Sequence, residues 1–360
     1  MRYTVSSRSN RKIDAPLEER KQRILRAVVR DYVETAEPVG SEALAERYDF
    51  GVKSATLRNE MAEMAEQGYL QQPHTSAGRI PSDKGYRYYV DWLITPRTPS
   101  ASRRQQMRAE LEKARREVES ILHQTCRMLS ALTSYVSMAT PPALEEDVVR
   151  QVHLAVIDRE RLLVVIALGT GRVEHAVVSP GVDLMSVDLG RIEHQVGTAI
   201  RGHTVAQALD AVPDPVEGYL PDAQKVYHAI MHAAADVLKR IGTADAGEVV
   251  VEGTAAVLRQ PEFGHTEVIR ELVAFLEERR QLFSLLRDVY DEESRIIIGS
   301  EHSDRRMQMC SLVLARYTVL GRYAGTIGVL GPTRMDYDRT LPVVRFMARS
   351  VGELLTQLRL

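Results

Sequence analysis

The sequence predicts an α+β protein of several domains, and three observations carry that reading. Two helical stretches separated by a short Gly-containing turn occupy the first hundred residues. After Pro141-Pro142 the apolar period changes from three-and-four to two, the mark of strands. A mostly helical stretch follows, strand character returns near Ile296, and a helix closes the chain.

The first elements are argued from their ends and faces. Leu17 to Val33 is an amphipathic helix with Ile24, Leu25, Val28, Val29 and Tyr32 on its apolar side. Pro38 to Tyr48 holds a short helix with Ser41 as its expected N-cap, and Asp49-Phe50-Gly51-Val52 supplies a tight turn. A second helix runs from Lys53 to Gln67 and stops at Gly68, a natural C′ residue. Helix, short turn and helix form the helix-turn-helix pattern. Tyr69 to Pro73 and the approach to Ile80-Pro81 are two short strands around a polar tip that carries Arg79. The N-terminal domain is therefore expected to be a winged helix-turn-helix. Ser82-Asp83 then cap a helix through Leu93, whose Tyr86, Tyr89 and Trp92 are expected at a domain or dimer junction rather than stacked on bases.

At about 100° per residue, Leu57, Met61 and Met64 share the inward stripe of the second helix. Ala55, Thr56, Asn59 and Glu63 fall on or near the opposite side, with Ser54 and Arg58 flanking. Asn pairs bidentately with adenine, Arg with guanine, and Ala or Thr methyls meet the thymine methyl. The positive end of the helix dipole at Lys53-Ser54 suits a phosphate. With the tip, the candidate DNA-binding residues are Lys53, Ser54, Ala55, Thr56, Arg58, Asn59, His74, Thr75, Ser76 and Arg79. A winged helix that docks on protein is the alternative.

Thr95 to Ser102 has the composition of a linker. A long charged helix is expected from about Arg103 to Ser137, its stripe (Met107, Leu111, Val118, Ile121, Leu122, Leu129) meeting a partner helix or the next domain. Val148 to Ile157, Leu162 to Leu168 and Arg172 to Val178 form an antiparallel meander. Met185 to Thr254 is mostly helical, and Thr266 to Leu286 is a further amphipathic helix. Strands return at Ile296 to Ile298, Met309 to Val319 and Tyr323 to Leu330, before a helix from Asp336 to Leu358. The order fits a sensor-like α+β sheet interrupted by an inserted module.

Composition excludes several functions. The 360 residues carry a net charge of −2, so the chain is no basic nucleic-acid coat. The charge is uneven: residues 1–104 hold 18 Lys and Arg against 14 Asp and Glu, the remainder 29 against 35. A modestly positive end suits a sequence-specific reader better than a binder that rests on phosphate charge alone. Met1 to Lys12 is a basic arm or a solvated terminus. Cys126 and Cys310, far apart in apolar context, offer neither metal spacing nor a disulfide framework, which points to the cytoplasm. No run of 18 apolar residues suggests a membrane span. His228 and His232 stand four apart, but Ala229 occupies the place where a zinc peptidase needs Glu. Gly325, Gly328 and Gly331 lie in a strand rather than opening a helix, which argues against a dinucleotide fingerprint, and Gly169-Thr170-Gly171 lacks the lysine of a phosphate loop. No enzyme, cofactor or metal is expected.

Three stretches together resemble the HrcA family of bacterial heat-inducible repressors. They are Glu37 to Ser41 with Ser54-Ala55-Thr56-Leu57-Arg58-Asn59-Glu60-Met61; Gly68-Tyr69-Leu70 with Gln72-Pro73-His74-Thr75-Ser76-Ala77-Gly78-Arg79-Ile80-Pro81 and Gly85-Tyr86-Arg87-Tyr88-Tyr89-Val90-Asp91; and, far away, Ile298-Gly299-Ser300-Glu301, Cys310 to Val313 and Gly325 to Tyr337. The resemblance implies a GAF-like α+β domain holding an inserted, mainly helical dimerisation module. The expected division is a DNA-binding domain at 1–95, linker and long helix at 96–140, the GAF-like domain at 141–184 and 255–360, and the insert at 185–254. It also implies a homodimer that represses the groE and dnaK chaperone operons at the CIRCE inverted repeat of double-stranded DNA, with the GroEL chaperonin as partner. The rival expectation is a regulator whose GAF-like domain binds a small effector. One departure stands out: Lys53 replaces the serine usual in the family, which removes a side-chain cap worth about 1 kcal/mol and offers a phosphate contact.

Overall fold

The computed structural model describes residues 17–114, 117–142, 147–169, 173–210, 220–244, 249–257, 259–264, 266–287, 289 and 292–358. The basic arm expected at residues 1–12 lies outside them. The described residues divide into two compact units, the first drawn from Met1–Ala139, Val249–Tyr317 and Thr326–Val351, the second from Thr140–Glu248, Thr318–Gly325 and Gly352–Leu360.

The first unit begins with α1 (Glu19–Thr35), α2 (Ser41–Arg47) and α3 (Ser54–Glu66), followed by an antiparallel ribbon of β1 (Leu70–Gln71) and β2 (Ile80–Pro81). Then comes α4 (Asp83–Tyr88), which runs on as a π-helical turn over Tyr89–Leu93. Ser82 caps α4 by accepting the Gly85 N–H at 3.1 Å. Ser41, expected as the cap of α2, is instead its first helical residue and is buried; Gly40 takes the cap position.

The long helix expected from Arg103 to Ser137 is three elements: α5 (Ala101–Glu112), α6 (Val118–Thr133) and strand β3 (Val136–Ala139). α6 stops where Ser134 turns left-handed at φ 63° and its N–H bonds to Ser130 O. All four residues of β3 are buried, so no alternation marks them as strand and the helical period reads straight through.

The second unit contains β4 (Val149–Val156), β5 (Leu162–Leu168) and β6 (Val173–Val178), an antiparallel sheet in that order. It also holds α7 (Leu189–Ile200), α8 (Val205–Asp210) and α9 (Pro221–Ala244). Val152, Val164 and Ile166 of the sheet share one apolar cluster with Ile192, Val196, Val226 and Ile230 of the helices. The meander expected at 141–184 of the GAF-like domain thus groups with the helices that follow, and this unit opens at residue 140 rather than 185. Period reveals secondary structure; it does not reveal which core a strand fills.

The chain then continues with β7 (Val250–Glu252), α10 (Thr254–Val257), α11 (Thr266–Glu277), α12 (Arg279–Arg287), β8 (Ser294–Ile298), β9 (Cys310–Val319), β10 (Arg322–Pro332) and α13 (Tyr337–Gln357), which belong to the first unit apart from Thr318–Gly325 and the residues from Gly352 onward. A five-stranded sheet is ordered β7-β3-β10-β9-β8, leaving β8 at an edge. Met138 pairs with Val251 on one side and Gly328 on the other, and Ile296 of β8 pairs with Val313. Val136, Met138, Leu312, Leu314 and Leu330 form its apolar core with Phe263, Leu272, Phe275, Leu282 and Leu286.

Candidate nucleic-acid interface

The turn between α2 and α3 is set by short polar bonds. Asp49 Oδ1 accepts the Gly51 N–H at 2.9 Å, and Gly51 sits at φ +70°, which a residue without Cβ adopts freely. Phe50 is buried beside Tyr48 and under the Arg23 guanidinium. α2 is pinned to α1 where the Tyr48 hydroxyl donates to Asp31 Oδ1 at 2.7 Å, with Arg47 at 3.0 Å from the same oxygen. Burial, reinforced by that hydrogen bond, pushes the Tyr48 hydroxyl up to about 12.

α3 buries Leu57, Glu60, Met61 and Met64. Glu60 is the member no apolar pattern anticipates; only 8% exposed, it accepts from Arg20 Nε of α1 through Oε1 at 2.5 Å, while its buried Oε2 meets no donor. Glu63, expected on the free side, accepts from Lys21 at 2.6 Å. Lys53, Ala55, Thr56, Arg58 and Asn59 are exposed and Ser54 is half-buried. Arg58 stands 3.7 Å from Glu42, both largely exposed, a pair that costs little to break. Lys53 occupies the N-cap and accepts no amide, since an ammonium has no acceptor, so the start of α3 lacks a side-chain cap.

His74, Thr75 and Ser76 form the exposed end of the ribbon loop. Gln72 Nε2 braces it by donating to Thr75 O at 2.9 Å and Ala77 O at 3.0 Å. Arg79 is not at the tip. Its N–H and C=O both bond to Val39 at 2.9 Å, so the segment before α2 pairs with the ribbon's base and leaves Arg79 half-buried. Gly78 is needed there, because a Cβ would lie 2.4 Å from the Val39 carbonyl. Arg79 thus lies between ribbon and body, behind the exposed loop end.

Residues to which the sequence assigned no role tie these helices to the five-stranded sheet. Arg87 grips Glu301, Asp83 meets Ser300, and buried Asp338 accepts the Thr95 N–H at 3.0 Å. Arg334 donates to Val33 O of α1 at 2.9 Å and binds Glu262. Tyr86 packs near Tyr337, ring centroids 6.0 Å apart, and Trp92 stays exposed. The motif blocks around Gly85, Ile298 and Arg334, far apart in sequence, are one joint in space.

Among the described residues no group of His, Cys, Asp and Glu could hold a metal ion, and no helix is long and apolar enough to cross a membrane. Cys126 and Cys310 are buried free thiols.

A family model described as the HrcA protein C terminal domain matches residues 119–341. A protein from Desulforudis audaxviator named heat-inducible transcription repressor HrcA is 36% identical over 344 residues, covering 95% of this chain and 99% of that one. Its namesake from Moorella thermoacetica is 37% identical over 348 residues, with the same coverage. The crystal structure of a protein described as hypothetical has the same fold, with a TM-score of 0.58 and 23% identity over 95% of this chain and 98% of that one. These matches put the chain in the class of bacterial transcription repressors, proteins without catalytic machinery. It belongs to the HrcA family of heat-inducible repressors.

Proposed function

We propose that the chain works in the cytoplasm as a homodimer that represses heat-shock chaperone operons, groE and dnaK, by binding the CIRCE inverted repeat. In this reading α1 to β2 is a winged helix-turn-helix. α3 lies in the major groove, where Asn59 and Arg58 address base edges and Ala55 and Thr56 meet thymine methyls. Lys53 and Ser54 approach a phosphate at the uncapped start of α3, while His74, Thr75, Ser76 and Arg79 follow the backbone beside the groove. An inverted repeat demands two readers related by a two-fold axis, hence the homodimer, which the second unit is suited to hold as an insert in a GAF-like domain. GroEL is the partner that keeps the repressor competent; when heat-damaged proteins occupy it, active repressor falls and the genes open.

The observation that carries the reading is the division of α3, with Leu57, Met61 and Met64 buried and Thr56, Arg58 and Asn59 exposed on the other side. The test is a gel-shift titration of the full chain on the whole repeat, one half-site and a scrambled duplex, with sedimentation of the free protein. Strong, metabolite-free preference for the whole repeat is expected from a dimer. Binding that needs an added metabolite would favour an effector-sensing regulator instead, and a monomer that binds the whole repeat tightly would overturn the dimer.

A further inference from the structure

α4 meets the five-stranded sheet through a charged joint at the edge strand β8. Arg87 Nε and Nη2 donate to the two carboxylate oxygens of Glu301 at 2.8 and 2.6 Å. Nη2 also donates to Ile296 O of β8 at 2.6 Å, and Nη1 to Asp91 Oδ1 at 3.1 Å. One turn earlier on α4, Asp83 Oδ2 accepts the Ser300 N–H at 2.8 Å. Glu301 Oε2 accepts the Ile298 N–H at 3.0 Å as well, so one carboxylate shapes its own turn and holds α4. Arg87 and Glu301 side chains are each only 14% exposed. A two-pronged, charge-assisted pair with little water around it resists bending in a way that a rim pair does not.

The joint is rigidly connected to α3. Ser82, which caps α4, donates from its hydroxyl to Gly68 O at the end of α3 at 2.5 Å, and its N–H bonds to Tyr69 O. Gly85 passes so close to Tyr69 that a Cβ would lie 2.1 Å from its carbonyl oxygen. Whatever orients α4 therefore orients the exposed row of α3 and the ribbon.

We propose that Arg87 and Glu301 are positioning residues for operator binding: they set the angle at which α3 and the ribbon stand on the sheet, and so the spacing of the two readers in the dimer. The inference rests on the two-fold operator reading above. Half-sites lie about 10 base pairs apart per turn of DNA, and one inserted pair rotates a half-site by about a tenth of a turn. Slack at the joint lowers the effective concentration of the second reader without touching the contacts of the first.

The test uses full-length wild type, Glu301→Gln and Arg87→Lys on the half-site, the whole repeat, and repeats with the spacer changed by one or two base pairs. Both variants are expected to match wild type on the half-site, to bind the whole repeat about tenfold more weakly, and to depend less steeply on spacer length. Arg87→Lys keeps the charge and loses the fork, so its agreement with Glu301→Gln identifies geometry as the cause. Wild-type affinity and spacer dependence in both variants would overturn the proposal. So would equal losses on half-site and whole repeat, which would assign the pair to folding alone. A wild type that does not prefer the whole repeat would overturn the operator reading, and this inference with it.

Discussion

Gly299 and Asp83 approach so closely that a Cβ on the glycine would lie 2.3 Å from the carboxylate Oδ1 and 2.4 Å from Cγ. Gly299 also holds φ +49°, a left-handed conformation that side chains rarely adopt. Contact and conformation both demand glycine where β8 turns towards α4. Gly299→Ala is expected to destabilise the full chain by about 2 kcal/mol through overpacking, read as a lower urea midpoint. An unchanged midpoint would mean that the turn can leave α4 without consequence.

Asn59 is exposed on α3 beside Thr56 and Arg58. Asn59→Ala is expected to cost about 1–3 kcal/mol of operator binding and to blunt base preference. Equal losses on operator and scrambled duplex would move Asn59 to a backbone or folding role.

Lys53 presents the opposite trade. Lys53→Ser restores an acceptor at the N-cap of α3 and is expected to stabilise the protein by about 1 kcal/mol. It also removes a cation, so the slope of log K against log salt is expected to fall by about 0.9, the value for one phosphate contact. A more stable protein with an unaltered slope would place Lys53 away from the phosphate.

Arg79→Ala is expected to weaken operator binding and flatten the same slope, although the residue's backbone stays paired with Val39. Unchanged slope and affinity would take Arg79 out of the interface and leave His74, Thr75 and Ser76 as the ribbon's contribution.

His302, only 4% exposed, follows Glu301 in the turn. Burial lowers its pKa below the ordinary 6.5, against the opposing pull of the Glu301, Asp304 and Asp83 carboxylates. The unfolded chain then takes up a proton at a higher pH than the folded one, so stability is full above about 6.5 and is lost as pH falls towards the folded value. Arg306 holds Asp304 and Glu278 below their usual range, so their contributions are lost at lower pH. Urea midpoints at about pH 7 and about pH 5.5 are expected to differ less for His302→Gln than for wild type; equal differences would exclude His302 as a source of the slope.

How much of this was legible depended on range. The ends of α3 and its inward Leu57, Met61 and Met64 follow from local pattern, and Gly68 at φ +79° ends it as a C′ glycine does. Glu60 was not legible, because its partner Arg20 lies on another helix. Nor was the half-buried state of Arg79, which comes from a bridge to Val39 across the chain. β3 was hidden by burial on both faces. Arg87, Glu301 and Asp338 stood inside or beside the motif blocks, but only their meeting in space gives them work.

β3 is synthesised early and both of its sheet neighbours late, since Met138 must wait for Val251 and then for Gly328. Until translation is nearly complete, a strand that the finished fold buries entirely has two open edges, and α4 has neither Glu301 nor the turn that anchors it. Closures of such sequence separation are slow, and unpaired strand edges are prone to aggregate while they last.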